Sequence, residues 1–301
     1  MQYQSGAVNP VGSIQEGWRI IKDDYWVFFL MTLLTFVILF VAAIILGLIN
    51  NAITFGISAA LGVTTNGSGD AVRLSAALLP QIISMIISLF TNIIVGAVSA
   101  ALFCGIYTAL AHKVRDGIAE FGDLFAGFSK FKACLIVAAV LGVIQFAITL
   151  VTVVGGAAVG FSAFSTGMLT KDGQLNPAIF GGLFVGFLVI IGITLVLNLI
   201  IAALTAFSYP LIADRDLSGG EALKWSAKSG FANLGGIILL LILLGLMMFG
   251  GALVCLVGIL FVAPIGTAAL FAAYQSVFGR TGNAYQNTPP PPPIFNNQPG
   301  Y

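Results

Sequence analysis

The chain has 301 residues, of which 59% are hydrophobic and only 8% charged, with a formal net charge of +1. Its mean hydropathy is +1.06. A soluble domain carries about 25% charged residues, so no water-soluble fold of this length hides so much apolar surface, and lipid must be the solvent for much of it. With no basic patch away from the apolar runs, nucleic acid is excluded as a partner class.

In chain order, the first feature is Ser13-x-x-Glu16, which has the form of a capping box at a helix start. Val11, Ile14, Trp18, Ile21 and Tyr25 follow at three- and four-residue spacing, one face of a helix, with Arg19 and Lys22 beside it. The first apolar run, 25–49, is longer than the ~7–15-residue core of a signal peptide and is read as a retained span. A Gly/Ser/Thr/Asn-rich connector at 64–70, holding the sequon-like Asn66-Gly67-Ser68, leads to a second run at 78–111. His112, Lys113 and Arg115 close that run. The segment 120–131 places Phe121, Leu124, Phe125, Phe128 and Phe131 on one face, with Lys130 at its end. Runs at 133–159 and 178–213 flank a second polar connector at 165–176. Ser218-x-x-Glu221 then repeats the capping box, followed by Lys224, Trp225 and Lys228. The last apolar stretch, 231–278, is too long for one crossing of a ~30 Å hydrocarbon layer. Breaking it near 255–258, beside Gly250-Gly251 and Gly258, gives six spans; leaving it whole gives five. The tail, 279–301, holds Asn, Gln and the run Pro289–Pro293, and reads as disordered with a polyproline II stretch able to dock on a protein partner.

With six spans, Arg19, Lys22, Lys113, Arg115, Lys130, Lys132, Arg215, Lys224, Lys228 and Arg280 share one side and only Arg73 and Lys171 the other. The positive-inside rule makes the first side cytoplasmic, with both termini there. The three aromatic-basic segments each precede two spans, so the pattern reads as a threefold internal repeat over 11–110, 120–213 and 218–278. The expected fold is therefore all-α: a polytopic transmembrane bundle of 1–278 with short interfacial helices. Trp18, Arg19, Lys22, Lys130, Lys224, Trp225 and Lys228 are the expected contacts to lipid headgroups.

No Asp, Glu, Lys or Arg falls mid-span, which argues against a proton-coupled pump. Gln81, Gln145, Asn92 and Asn198 are the amides at depth, and Asn92 and Asn198 are expected to bond across helices. Gly156-x-x-x-Gly160 and Gly182-x-x-x-Gly186 fit close helix approach and leave a homo-oligomer open. Pro80, Pro210 and Pro264 are candidate kinks. Cys104, Cys134 and Cys255 lack metal or disulfide spacing, His112 has no nucleophile beside it in sequence, and no phosphate loop, HExxH or CxxC occurs. The sequence thus assigns no catalytic residue, metal or cofactor, and no enzymatic activity.

The stretches Tyr209-Pro210-Leu211-Ile212-Ala213-Asp214-Arg215, Gly220-Glu221-Ala222-Leu223-Lys224-Trp225-Ser226 and Pro264-Ile265-Gly266-Thr267-Ala268-Ala269-Leu270-Phe271-Ala272-Ala273-Tyr274 resemble bacterial multi-pass proteins. These are the membrane domains of some glycerophosphodiester phosphodiesterases and the stand-alone YciC-like proteins. The resemblance implies a bacterial plasma membrane and an association with lipids. The chain has no phosphodiesterase domain, so that activity is not implied. The leading expectation is a non-enzymatic membrane protein associated with lipids or the envelope; the alternative is a transporter or channel for a small or amphipathic molecule.

Overall fold

The computed structural model describes residues 2–60, 70–165, 177–254 and 257–279. The sequon, Lys171, Cys255, Arg280 and the proline run of the tail lie outside the described residues, as do the side chains of Arg73, Pro80 and Gln81.

Among the described residues the chain forms ten α-helices and no strand: α1 (Pro10–Ile21), α2 (Tyr25–Ala60), α3 (Asp70–Asp116), α4 (Asp123–Ala126), α5 (Phe131–Ser165), α6 (Pro177–Thr205), α7 (Ser208–Arg215), α8 (Gly219–Ala232), α9 (Leu234–Leu253) and α10 (Gly258–Phe278). Six of the helical segments are long and apolar enough to cross a membrane; the protein is an all-α, multi-pass membrane protein. The last stretch is indeed broken. At the break Gly251 and Gly258 face each other so closely that a Cβ on Gly251 would lie 2.9 Å from the Gly258 carbonyl carbon. Only glycine lets two backbones turn back this tightly.

The helices fold as three hairpins, α2/α3, α5/α6 and α9/α10, each preceded by a short helix at the same end of the bundle. Helix α3 is the central element, packed on α2, α4, α5 and α7. Buried side chains concentrate at the end where α3 finishes and α5 begins: Leu102, Ile106 and Leu110 from α3, Leu124 from α4, Val137 from α5, Phe207 at the start of α7 and Leu211 within it, and Phe271 and Tyr274 from α10. Toward the opposite end large apolar residues are bare, with Phe55 77% and Phe161 73% exposed. Lipid tails solvate such surface as well as leucine does, so exposure there carries no penalty.

Local chemistry sets several boundaries. Helix α1 starts earlier than the capping box implied: Asn9 is the N-cap, its side chain accepting from the Gly12 N–H at 3.1 Å, with Pro10 in the first turn. Ser13 is instead a buried residue inside α1, because that face, with Gly17 and Ile21, lies on α10. At Gly17 a Cβ would sit 2.5 Å from the Ala269 backbone nitrogen. The second capping box holds: Ser218 caps α8, receiving the Glu221 N–H at 3.4 Å while its hydroxyl donates to the Glu221 carboxylate at 2.8 Å. The fourth apolar run breaks into α6 and α7 because Pro210 cannot donate to the carbonyl four residues back. Buried Ser226 of α8 bridges that break, accepting from the Phe207 N–H at 3.1 Å and donating to the Leu204 carbonyl at 2.8 Å. Asp216, at φ 53°, then ends α7 in the left-handed region.

Candidate functional site

Helices α3, α5 and α6 do not close on one another along their middle. They leave a groove of about 720 Å³, bounded at one end by Tyr209 of α7. Along α3 its lining runs Ser84, Ser88, Asn92, Gly96 and Ser99; the first four recur every fourth residue and so share one face. Helix α5 adds Gln145 and Thr149, and α6 adds Asn198 and Thr205. The remaining walls are apolar, including Leu89, Leu141 and Ile201. Among the described residues no Asp, Glu, Lys, Arg or His lines it. The groove follows from small residues where α3 meets α5: a Cβ on Gly96 would just touch the Ala138 Cβ at 3.5 Å, and one on Gly142 would press the Ile93 side chain at 2.9 Å.

The polar groups of the groove are mostly bonded within their own helices. The Asn92 amide donates to the Ser88 carbonyl at 2.7 Å, the Asn198 amide to the Thr194 carbonyl at 2.8 Å, and the Thr149 hydroxyl to the Gln145 carbonyl at 2.9 Å. The expected cross-helix bonds of the two asparagines are therefore absent among the described residues. The bond that does cross from α5 to α6 is Thr152 to Thr194, hydroxyl to hydroxyl at 3.1 Å. Back-bonding satisfies a donor but leaves the Asn92 side-chain oxygen, and the whole Gln145 amide, without a protein partner among the described residues. Asn92, Gln145 and Thr149 are all exposed on the bundle surface. An amide facing hydrocarbon with no partner costs several kcal/mol (roughly 4–8 on an alkane scale), so this surface calls for an occupant that can hydrogen-bond.

The glycines of the two small-xxx-small patterns divide. Gly156 lies near Phe187 and Gly186 against Val159, at the α5–α6 contact, whereas Gly160 and Gly182 face open space.

The expected headgroup contacts all lie at the well-packed end, in distinct settings. Trp18 is 45% exposed on α1 and leans on Tyr25, ring centroids 5.7 Å apart. Arg19 pairs with Glu16 at 2.7 Å, and Lys22 is exposed. On α8, Lys224 is exposed, and the Lys228 ammonium sits over the rings of Tyr3 and Trp225 at 5.8 and 5.6 Å. Among the described residues no hydrogen bond, ion pair or ring contact joins the α1 group to the α8 group. Lys130 is engaged inside the protein: its ammonium donates to the Ala213 carbonyl at 2.7 Å and the Ile212 carbonyl at 3.2 Å, and pairs with Asp216 at 2.6 Å. It thereby satisfies carbonyls that the end of α7 leaves open.

The neighbouring charges are likewise paired. Lys113 meets Asp24 at 2.5 Å, His112 meets Asp123 at 3.1 Å, and Arg115 meets Asp214 at 3.0 Å. Tyr274 donates to Asp214 at 2.8 Å and receives the Arg215 Nε–H at 3.0 Å, while Arg215 also donates to the Phe278 carbonyl at 2.6 Å. Two of the three stretches that carry the resemblance thus meet, through Asp214, Arg215 and Tyr274. The N-terminal arm is fastened at the same end: Asn233 accepts from the Ala7 N–H at 2.9 Å and donates to the Gln4 carbonyl at 3.0 Å.

Comparison with protein-family models, with curated proteins and with solved structures returns no match.

The sequence shows Asn92, Asn198 and Gln145 at depth together with several serines and threonines, but does not single out Ser84, Ser88, Ser99, Thr149 and Thr205 as their companions in one groove. The signal was there in α3, where Ser84, Ser88 and Asn92 fall at four-residue spacing within an apolar run.

Proposed function

We propose that this protein is a non-enzymatic, multi-pass plasma-membrane protein that holds membrane lipid, the headgroup lying in the groove between α3, α5 and α6 and the acyl chains on the bare faces beside it. The observation that carries this reading is the set of hydrogen-bonding side chains exposed at span depth, Asn92, Gln145 and Thr149, next to surfaces that only lipid can solvate. A groove open along its flank suits a molecule that is half polar and half hydrocarbon. The basic residues gathered at the packed end support placing that end, and both termini, in the cytoplasm. There Trp18, Lys22, Lys224, Trp225 and Lys228 would anchor the bundle to the headgroup layer. The order of short helix, span, span, met three times, supports reading the chain as three copies of one unit.

The test is native mass spectrometry of the protein taken with its surrounding membrane into polymer discs. The expected result is a stoichiometric lipid that is lost when Asn92 and Asn198 are both replaced by leucine. Retention unchanged in that double variant overturns the reading. A second copy of the chain covering the groove, seen as a dimer that the same variant splits, overturns it too.

The alternative, a transporter or channel for a small or amphipathic molecule, draws on the same polar lining. Its expected signature is flux of that molecule through sealed vesicles containing the protein.

A further inference from the structure

Among the described residues the lining of the groove is polar along its length and carries no charge, and these two facts together say more than lipid binding. From Ser84 to Ser99 the α3 wall extends about 22 Å at 1.5 Å per residue, most of a hydrocarbon layer about 30 Å thick. Polar groups punctuate that length on all three walls: Ser84, Ser88, Asn92 and Ser99, then Gln145 and Thr149, then Asn198 and Thr205. Along α3 a headgroup would find a hydroxyl or amide about every 6 Å from Ser84 to Asn92, then a step of about 10 Å past Gly96 to Ser99, with Gln145, Thr149, Asn198 and Thr205 on the facing walls.

The chemistry of those groups selects the cargo. Amides and hydroxyls both donate and accept, which matches a headgroup built of hydroxyls. They supply no counter-charge to a phosphate, and an unpaired charge in a low-dielectric groove is strongly disfavoured. We infer that the groove is a passive transbilayer path for lipids whose headgroup is uncharged and rich in hydroxyls, such as glycosyl diacylglycerols. The inference rests on the lipid-holding reading of the same groove and adds movement and selectivity to it. A free polyol would share this hydroxyl chemistry. The lipid is favoured because Asn92, Gln145 and Thr149 open the groove onto the bundle surface.

The experiment uses the full chain in sealed vesicles containing acyl-labelled fluorescent reporters, one a glycosyl diacylglycerol and one phosphatidylglycerol, with a membrane-impermeant reductant added outside. The expected result is that the glycosyl reporter exchanges between leaflets at least about tenfold faster than the anionic one, a factor smaller than an unpaired charge at span depth should impose. Asn92→Leu with Asn198→Leu should abolish the exchange, whereas Val196→Leu, on α6 but outside the groove, should preserve it. Gln145→Lys supplies the missing counter-charge and should raise the anionic rate, a gain that a misfolded protein cannot produce. Equal rates for the two reporters, or a faster anionic one, overturn the selectivity. No exchange above empty vesicles, with groove-dependent lipid still retained in polymer discs, overturns the path and leaves the lipid-holding reading standing. Loss of that retained lipid as well would remove both. Protein-dependent glycerol permeation at rates matching the lipid exchange overturns the lipid as cargo.

Discussion

Ser226 shows how a single hydroxyl manages a backbone break in a chain with little water around it. It receives the Phe207 N–H and gives its own proton to the Leu204 carbonyl, and it is fully buried. Ser226→Ala leaves both backbone groups without that partner, a loss of about 1–3 kcal/mol each if nothing replaces it. The expected outcome is a lower thermal unfolding midpoint in detergent, with faster amide exchange at Phe207. Gly17 is the second sensitive position. Its hydrogen is all that separates α1 from the α10 backbone at Ala268–Ala269. Gly17→Leu should lift α1 off α10 at a cost of about 1–3 kcal/mol or more, read as proteolysis within 10–21 that the parent resists. Neither position stands out in the sequence. A serine after a run of helix formers and a glycine directly after a capping-box glutamate look ordinary until the opposing backbone is known. Asn92 and Asn198 were visible as amides in apolar runs, but sequence holds no information on which way they turn. Each back-bonds to its own helix, so both face the groove instead of tying helices together.

At the scale of elements, hydropathy locates the apolar runs, and the glycines at 250–251 and 258 mark where the last one divides, while the choice between five and six spans rests on the helix break in the structure. Helix ends were less legible. The first capping box was misread because Asn9-Pro10 offers an equally good start one turn earlier, and burial of Ser13 against α10 decided between them. The long fourth run concealed the α6–α7 break, since Pro210 alone does not say whether a helix kinks or stops. Helix α7 ends on Asp216 and hands its last carbonyls to Lys130, a residue that its charge and position had marked for lipid headgroups. Lys130→Met should free the end of α7 at roughly 1–3 kcal/mol, seen as accelerated exchange over Leu211–Arg215 in hydrogen–deuterium measurements. Lys22→Ala and Lys224→Ala, on exposed lysines, should leave that exchange unchanged.

At the scale of the molecule, the two ends of the bundle differ in kind. One is a core of interdigitated aromatics beneath a mesh of ion pairs; the other is a set of long helices whose apolar faces are bare. The groove lies between them, where α3, α5 and α6 are held together at the packed end and part along their length. Removing the mesh should therefore act on the groove. Asp214, 5% exposed at its side chain, joins Arg115 to the Tyr274–Arg215 pair. Asp214→Asn weakens these charged bonds while keeping the shape, and is expected to lower the unfolding midpoint and lipid retention together.

The measurement closest to the central claim is the polarity of the groove in a bilayer. Spin labels placed singly at Asn92, Gln145 and Val196, in a chain whose three cysteines are replaced by alanine, would be exposed in vesicles to a water-soluble nickel relaxant and to oxygen. The account predicts that the labels at Asn92 and Gln145 meet the polar relaxant well above the level found at Val196. If all three favour oxygen alike, the groove is a lipid-filled crease, and the claim of a polar site within the membrane is contradicted.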